Sequence, residues 1–418
     1  MHDSSIFNIR IDFEKSHDSY IFDKNTQSAF LDFFGLYSSL PLGYSHPIFK
    51  TEEFKREYMR IAGVKVPNCE IISDEAQEFL HEFSTHPSMA PFKQFHFCCT
   101  GALGIEAAIK TAIDQKGSSK PHVLSFLESF HGINGYGGFA TDRFVPVRTR
   151  LEGLPDIGWT KLETPKIHYK NNAVDEGATR IAFDRFLKSF DEALGRCGAS
   201  NIAALIVEPI QATYGDSYYP KDFFKTVRRL CDEHQICLIF DEIQTGVGTT
   251  GTMWHFEQTG IVPDVVVFGK KLQVAGIMVS PCFNKIFQTP VRLEVTWDGS
   301  LCDMVRGKYV LRAYKQYNLI ANAKERGLQI LEGLRNIPGL LNPRGCGMFA
   351  AFDFPDQKSR DAFFTKARGL KFMCNKTRDI TVRLRPNMNV SQAEVNEALR
   401  LIKISCDKTT LGKDNGIT

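Results

Sequence analysis

Two short stretches carry the residues best suited to covalent chemistry. Ile236-Cys-Leu-Ile-Phe runs into Asp241-Glu242, and Val265-Val-Val-Phe-Gly runs into Lys270-Lys271. Both apolar runs have the length and β-branched content of buried strands. In an open parallel sheet the strand C-termini face the crevice where ligands sit. The pattern therefore brings a carboxylate and an amine, 29 positions apart, to one crevice. A lysine amine there can form a Schiff base with a carbonyl, and a buried carboxylate can keep a ring nitrogen protonated.

That pair suits pyridoxal 5′-phosphate, although a strand ending in Asp-Glu is common in any α/β protein. Further residues fall where the same chemistry needs them. Thr100-Gly101-Ala102 lies between a strand and a helix, where backbone N–H groups can receive a phosphate. Phe130, in Ser129-Phe-His-Gly, follows the strand at 123–127 and can cover a flat aromatic ring or belong to the core. Glu208 ends another strand in Val207-Glu-Pro-Ile-Gln, as a second acid at the crevice or a solvated strand end. Of Lys270 and Lys271 only one can readily enter the site; burial would lower its pKa and free the amine.

The elements that must hold these residues alternate strand and helix. Strand candidates at 95–99, 123–127, 202–207, 236–240 and 265–268 are separated by helical segments, at 103–114 and 221–233 most clearly. This predicts an α/β fold, with a large domain built on a mostly parallel sheet flanked by helices. Before it, residues 20–34 read as a β-hairpin turning at 23–26, and 73–85 as a helix with apolar Ala76, Phe79, Leu80 and Phe83. Residues 139–185 show little periodicity and read as an irregular excursion over the site. Beyond about Val305 a long helical stretch is expected over 307–334. Short strands follow at 348–354 and 380–384, and then a helix at 392–404 capped by Ser391 with Glu394. The expected division is an N-terminal segment (1–45) joining a small α+β domain (305–418), around a large cofactor-binding domain (46–304).

Composition excludes several classes. With 43% apolar and 24% charged residues in a chain of 418, this is an ordinary globular protein. A net charge of +3 gives no reason to expect nucleic acid or an anionic membrane as partner. No apolar run approaches the roughly 20 residues a membrane span needs, and the first residues lack a signal peptide's pattern. The 11 cysteines include no C-x-x-C pair. They read as buried thiols in a reducing cytoplasm better than as disulfides or metal ligands, so no metal is expected.

In order, the chain carries Thr100-Gly-Ala, Phe130-His-Gly, Glu208-Pro-Ile-Gln, Asp241-Glu-Ile-Gln-Thr-Gly-Val-Gly, Gly251-Thr-Met-Trp, Pro263-Asp and Phe268-Gly-Lys-Lys. The series resembles the class III aminotransferases, pyridoxal-phosphate enzymes of fold type I. Within them it looks most like the L-lysine 6-aminotransferase branch, through the double lysine and Asp303-Met-Val-Arg306. The resemblance runs from about Phe22 to Ile404. It implies amino transfer from an amine donor to an oxo acid such as 2-oxoglutarate, in a homodimer with shared sites. Other reactions of the same fold, such as aminomutase, racemase or decarboxylase, keep the same lysine and aspartate; a non-catalytic relative is the remaining alternative.

The resemblance also implies roles. Lys270 matches the Schiff-base lysine and Asp241 the partner of the ring nitrogen. Gln244 matches the contact to the ring hydroxyl, Ile243 the apolar residue beneath the ring and Phe130 the aromatic above it. Gly101 and Ala102 match the phosphate loop. Thr296 matches the threonine that reaches the phosphate from the other subunit. Arg383 matches the arginine that grips a substrate carboxylate. Two positions depart from the pattern. Ile133 stands where the lysine branch has an arginine for the substrate carboxylate, and Thr213 where the family has a glutamate that masks the small-domain arginine. The expectation is a donor that is not free lysine held in the usual way, unless Arg143 or Arg148 supplies the charge.

Overall fold

The computed structural model describes residues 7–64, 70–143 and 155–407; Arg148 lies outside them. Its centre is a seven-stranded sheet. In spatial order the strands are Gln94–Cys98, Ala275–Val279, Val265–Phe268, Cys237–Asp241, Ile202–Val207, His122–Phe126 and Thr160–Leu162. The five strands from Val265–Phe268 to Thr160–Leu162 are mutually parallel, and Ala275–Val279 runs against both its neighbours. The three central strands, Ile202–Val207, Cys237–Asp241 and Val265–Phe268, are buried along their whole length, which is why they read as unbroken apolar runs.

Register delivers the chemistry. Phe240 pairs with Val207, so the next level places Asp241 beside Glu208. Asp241 itself pairs with Val267, three residues before Lys270. The helix Gly101–Lys116 packs on this sheet through Gly104, where an added Cβ would lie 2.9 Å from a methyl of Val267 and 3.2 Å from the carbonyl of Gly276. The absent side chain permits that close approach. On the other face Phe79 and Phe83 are buried against Phe97, Phe268 and Trp254. Leu80 of the same helix faces solvent.

The chain ends meet. The hairpin is formed by Tyr20–Asp23 and Ser28–Asp32, preceded by a further strand, Ile11–His17. Ser28–Asp32 also pairs in parallel with Phe372–Met373. A separate four-stranded sheet orders Leu341–Cys346, Phe349–Asp353, Thr381–Leu384 and Asn375–Thr377. The helix Gln392–Cys406 begins with the expected reciprocal cap of Ser391 and Glu394.

Two expectations need correction. The stretch at 307–334 is two helices, Leu301–Gln316 and Leu319–Arg335, because Asn318 between them adopts a left-handed backbone with φ of 50°. The excursion at 139–185 is more regular than expected. It supplies the edge strand Thr160–Leu162 and the start of the helix Glu176–Cys197. A three-residue edge strand shows too little alternation to be read in sequence. The thiols also divide: Cys98, Cys231, Cys237 and Cys374 are buried, whereas Cys99 and Cys282 are exposed, and every described cysteine is free.

Candidate active site

Paired residues at the strand ends separate by alternation. Asp241 turns toward the crevice. Glu242 turns the other way and accepts from the backbone N–H groups of His255 (2.6 Å) and Phe256 (2.8 Å). Burial raises Glu242 to about 7, and its role is to brace the segment after Trp254.

The two lysines divide in the same manner. Lys271 is 1% exposed and donates to the carbonyl of Leu40 at 3.2 Å. Burial lowers it to about 7, with the Arg385 charge pushing the same way. Lys270 keeps its amine toward the crevice, where no described residue hydrogen-bonds it. Its backbone takes a left-handed φ of 46°, a conformation costing about 1–3 kcal/mol in a non-glycine residue. The turn is held by the backbone N–H and side-chain amide of Gln273, both donating to the Lys270 carbonyl. Burial lowers the Lys270 pKa, against the opposing pull of Asp241 and Glu208. A lowered pKa is what a Schiff-base amine requires.

Asp241, 6% exposed, is fixed by two contacts. The Ile243 N–H donates to Oδ1 at 3.1 Å, and His131 Nδ1 lies 2.9 Å from Oδ2. With Asp241 ionised, Nδ1 carries the proton and donates. His131 Nε2 is buried and has no partner among the described residues. Glu208 accepts from the N–H groups of Phe130 (2.8 Å) and Ala212 (3.3 Å). Burial and the neighbouring Asp241 raise it to about 8. Glu208 thus ties the Phe130 segment to the sheet.

The phosphate loop is positioned by packing. A Cβ on Gly101 would meet the Ile243 side chain at 2.8 Å, and one on Gly269 would lie 3.8 Å from Gly101 Cα. Gly101 therefore brings the helix N-terminus against Ile243 and the residue before Lys270. Thr100 caps that helix by accepting from Leu103 N–H at 3.3 Å, while the N–H groups of Gly101 and Ala102 have no partner among the described residues. Such free N–H groups form an anion site. A Cβ on Gly132 would lie 3.9 Å from Ala102, so the Phe130-His-Gly segment abuts the same loop.

The remaining residues are placed less uniformly. Gln244 Oε1 accepts from Arg385 Nε at 3.2 Å. Arg385 forms a buried two-pronged pair with Asp216 and lies 3.7 Å over the Phe349 ring. Arg383, 5% exposed, donates to the Ala212 carbonyl (2.6 Å) and to Asn375 Oδ1 (2.7 Å). Its Nε and the Thr213 hydroxyl are both buried without a partner among the described residues. Burial and the Arg385 charge lower Arg383 to about 10. Ile133 is 47% exposed. Thr296 is also exposed, next to Trp297, whose carbonyl faces Cys99 Sγ at 3.7 Å.

The structure thus gathers Lys270, Asp241, Glu208, Ile243, Phe130 and Gly101 around one crevice. Sequence reasoning missed His131 and Arg385 as functional residues. His131 lay inside a quoted motif. Arg385 stands two positions from Arg383, and period-two alternation carries both to one face. The donor set fits pyridoxal phosphate: an amine of lowered pKa, a fixed carboxylate and unpaired helix N–H groups.

Known proteins agree with that set. The family model for class-III aminotransferases matches residues 2–405. The L-lysine-epsilon aminotransferase of Mycobacterium tuberculosis is 32% identical over 415 residues, covering 94% of this chain and 91% of that protein. The 4-aminobutyrate aminotransferase of Schizosaccharomyces pombe is 29% identical, covering 88% and 83%. The solved structure of the M. tuberculosis lysine aminotransferase in its internal aldimine form superposes with a TM-score of 0.91 at 30% identity, over 97% of this chain and 96% of that one. This chain belongs to the class-III aminotransferases and is a pyridoxal 5′-phosphate-dependent transaminase.

Proposed function

We propose that this enzyme moves the terminal amino group of a primary amine to an oxo acid such as 2-oxoglutarate. The observation that carries the reading is the Lys270 amine, of lowered pKa and opposite the fixed carboxylate of Asp241. When bound, pyridoxal phosphate supplies an electron-poor ring that accepts charge from the substrate carbon. Lys270 Nζ would take the proton from the carbon bearing the amino group and give it back, serving as base and then acid. The Asp241 carboxylate would hold negative charge opposite the ring nitrogen, with His131 keeping it in place. Gly101 and Ala102 N–H groups would hold the phosphate. Ile243 and Phe130 would enclose the ring, Glu208 anchors the Phe130 segment, and Gln244 would meet the ring hydroxyl. Arg383 takes the carboxylate of the oxo acid.

Family likeness supports a homodimer in which Thr296 of the partner subunit completes the phosphate site. It also supports a division into a large unit (46–304) and a small one made from 1–45 and 305–418, in a cytoplasmic setting. Among the described residues no helix is long and apolar enough to cross a membrane.

The donor follows from the two departures. Ile133 offers no charge, and a substrate carboxylate buried beside it would lack a partner. The donor is therefore an amine whose far end is apolar, or is held by other groups. The test is a panel of amines, L-lysine included, with and without 2-oxoglutarate or pyruvate. Amino-acid product should form only with an oxo acid, and apolar amines should exceed L-lysine in kcat/KM. Donor consumption beyond one equivalent per site without any oxo acid would overturn the transaminase reading, and L-lysine ranking first would overturn the donor.

A further inference from the structure

The turn that presents Lys270 is strained at both ends. Lys270 has a φ of 46° and Gln273 a φ of 69°, both left-handed. A second strained stretch lies against it. Leu36, Tyr37 and Ser38, soon after the strand Ser28–Asp32, are three consecutive left-handed residues, with φ of 50°, 58° and 72°. Residues other than glycine stay in this region only where their surroundings hold them there.

The two stretches hold each other. The Gln273 side-chain amide donates to the Ser39 carbonyl at 3.0 Å and to the Lys270 carbonyl at 3.0 Å. The Lys271 amine reaches the next carbonyl, that of Leu40, at 3.2 Å. On its other side, segment 33–41 is fixed to the chain just beyond Arg383. The Arg385 N–H donates to the Phe33 carbonyl at 2.6 Å, and the Met388 N–H to the Pro41 carbonyl at 2.9 Å. A Cβ on Gly35 would strike the Arg385 carbonyl, so the two backbones touch there. Segment 33–41 therefore bridges the strand end that carries Arg383 and the turn that presents Lys270.

We propose that Gln273 is a positioning residue for the transamination: its one amide, shared between the Ser39 and Lys270 carbonyls, locks the turn to segment 33–41 and so aims the Lys270 amine into the crevice. The inference rests on the reading of Lys270 as the reacting amine. The Gln273 backbone N–H already closes the turn, donating to the Lys270 carbonyl at 2.9 Å. Closure therefore does not need the side chain, and what the side chain adds is the tie to Ser39. A base that leaves and returns at every turnover gains from a fixed root, because a small misplacement of a reacting group is costly in rate.

The test uses Gln273→Met and Gln273→Gly, which both remove the amide. Glycine suits the left-handed backbone and relieves its strain, so a role confined to closing the turn predicts a glycine variant as active as the wild type. Positioning predicts that both variants lose kcat about tenfold, the scale of one hydrogen bond. KM for the amine and for 2-oxoglutarate should stay within about twofold. A second readout needs no turnover. In the full chain freed of cofactor, acetylation of Lys270 by acetic anhydride is followed against pH by peptide mapping. Burial holds this amine below the ordinary lysine range, with Asp241 and Glu208 opposing and Arg383 and Arg385 adding to the effect. Both variants keep those four charges, so a loosened turn should move the midpoint up as the amine reaches water. An unmoved midpoint, a fully active glycine variant, or a loss confined to KM overturns the proposal. If borohydride reduction of the holoenzyme marks a different lysine, the reading of Lys270 fails, and the acetylation midpoint still decides whether Gln273 holds the turn.

Discussion

The strand-end floor of the crevice and its 212–214 wall are built on opposite principles. On the floor, polar groups come with partners. Asp241 holds His131 and the Ile243 N–H, Glu208 holds two backbone N–H groups, and Glu242 holds two more. Among the described residues the Lys270 amine, the buried His131 Nε2 and the Gly101 and Ala102 N–H groups are the floor's open positions, each where a cofactor would meet it or beside its carboxylate anchor. On the wall, cations crowd three consecutive residues, and Arg383 Nε and the Thr213 hydroxyl have no partner among the described residues. A floor whose carboxylates are already held in place suits a cofactor that stays bound through every turnover. An unsaturated wall suits substrates that arrive and leave, because the ligand supplies the missing acceptors. The departures from the family pattern, Ile133 and Thr213, fall on the substrate side of this division.

The comparison breaks most directly at Lys270. Lys270→Ala should lower turnover by about 10²–10⁴-fold or more, since it removes both the Schiff-base amine and the proton carrier. Borohydride reduction of the wild type followed by peptide mapping should place the adduct on Lys270. An adduct on Lys271 would show that the alternation at the strand end has been read the wrong way round.

Asp241→Asn probes the floor's electrostatics with little change of shape. His131 can keep its proton on Nδ1 and donate to the amide oxygen, or shift it to Nε2 and accept from the amide NH2, so the fold should survive. Loss of the charge should cost about 10²–10³-fold in kcat, the scale of removing one preorganised electrostatic partner. Circular dichroism unchanged, together with kcat within about threefold of wild type, would remove Asp241 from the role.

The wall should respond differently. Arg383→Lys keeps the charge but loses the planar fork. It should raise KM for oxo acids about tenfold and leave kcat much less affected, because the arginine holds substrate rather than reacting atoms. Equal losses in kcat and kcat/KM would mean that Arg383 acts on the chemistry itself.

The two regions also differed in how much of them could be read from sequence. The central strands were legible because full burial leaves a continuous β-branched run, and Lys270 and Asp241 because they sit directly after such runs. The helix cap at Ser391 was legible because both its partners are local. The edge strand Thr160–Leu162 and the helix break at Asn318 were not. One is too short to show a period, and the other depends on a single left-handed residue that sequence does not mark. The cation cluster on Tyr214 was illegible for a further reason. Arg143, Lys166, Tyr214 and Arg378 come from four distant parts of the chain, and only the folded loop joins them.

The smallest expected effect concerns the other lysine, and it separates structure from chemistry within one dipeptide. Lys271 is held down to about 7 by burial and by Arg385, with Asp32 opposing. Between that value and the ordinary lysine range, the unfolded chain keeps a proton that the folded chain has lost. Stability should therefore rise with pH across roughly 7 to 10.5. Glu208, raised to about 8, acts in the opposite sense at lower pH: from about 4.5 to 8 the folded chain keeps a proton that the unfolded chain has lost, so stability falls. Lys271→Met should remove only the first trend. Asp32 would keep its donors, the N–H groups of Phe34 and Gly35 and the Tyr44 hydroxyl, each at 2.8 Å, so its burial stays supported. Thermal unfolding of the holoenzymes should show the variant melting higher by about 1 °C at pH 7, the scale of about 1 kcal/mol in a chain of this length. That gap should close toward pH 10, while the adduct on Lys270 remains. A gap independent of pH would mean that Lys271 is already neutral at pH 7 or charged throughout the range, and that its burial has a different electrostatic basis.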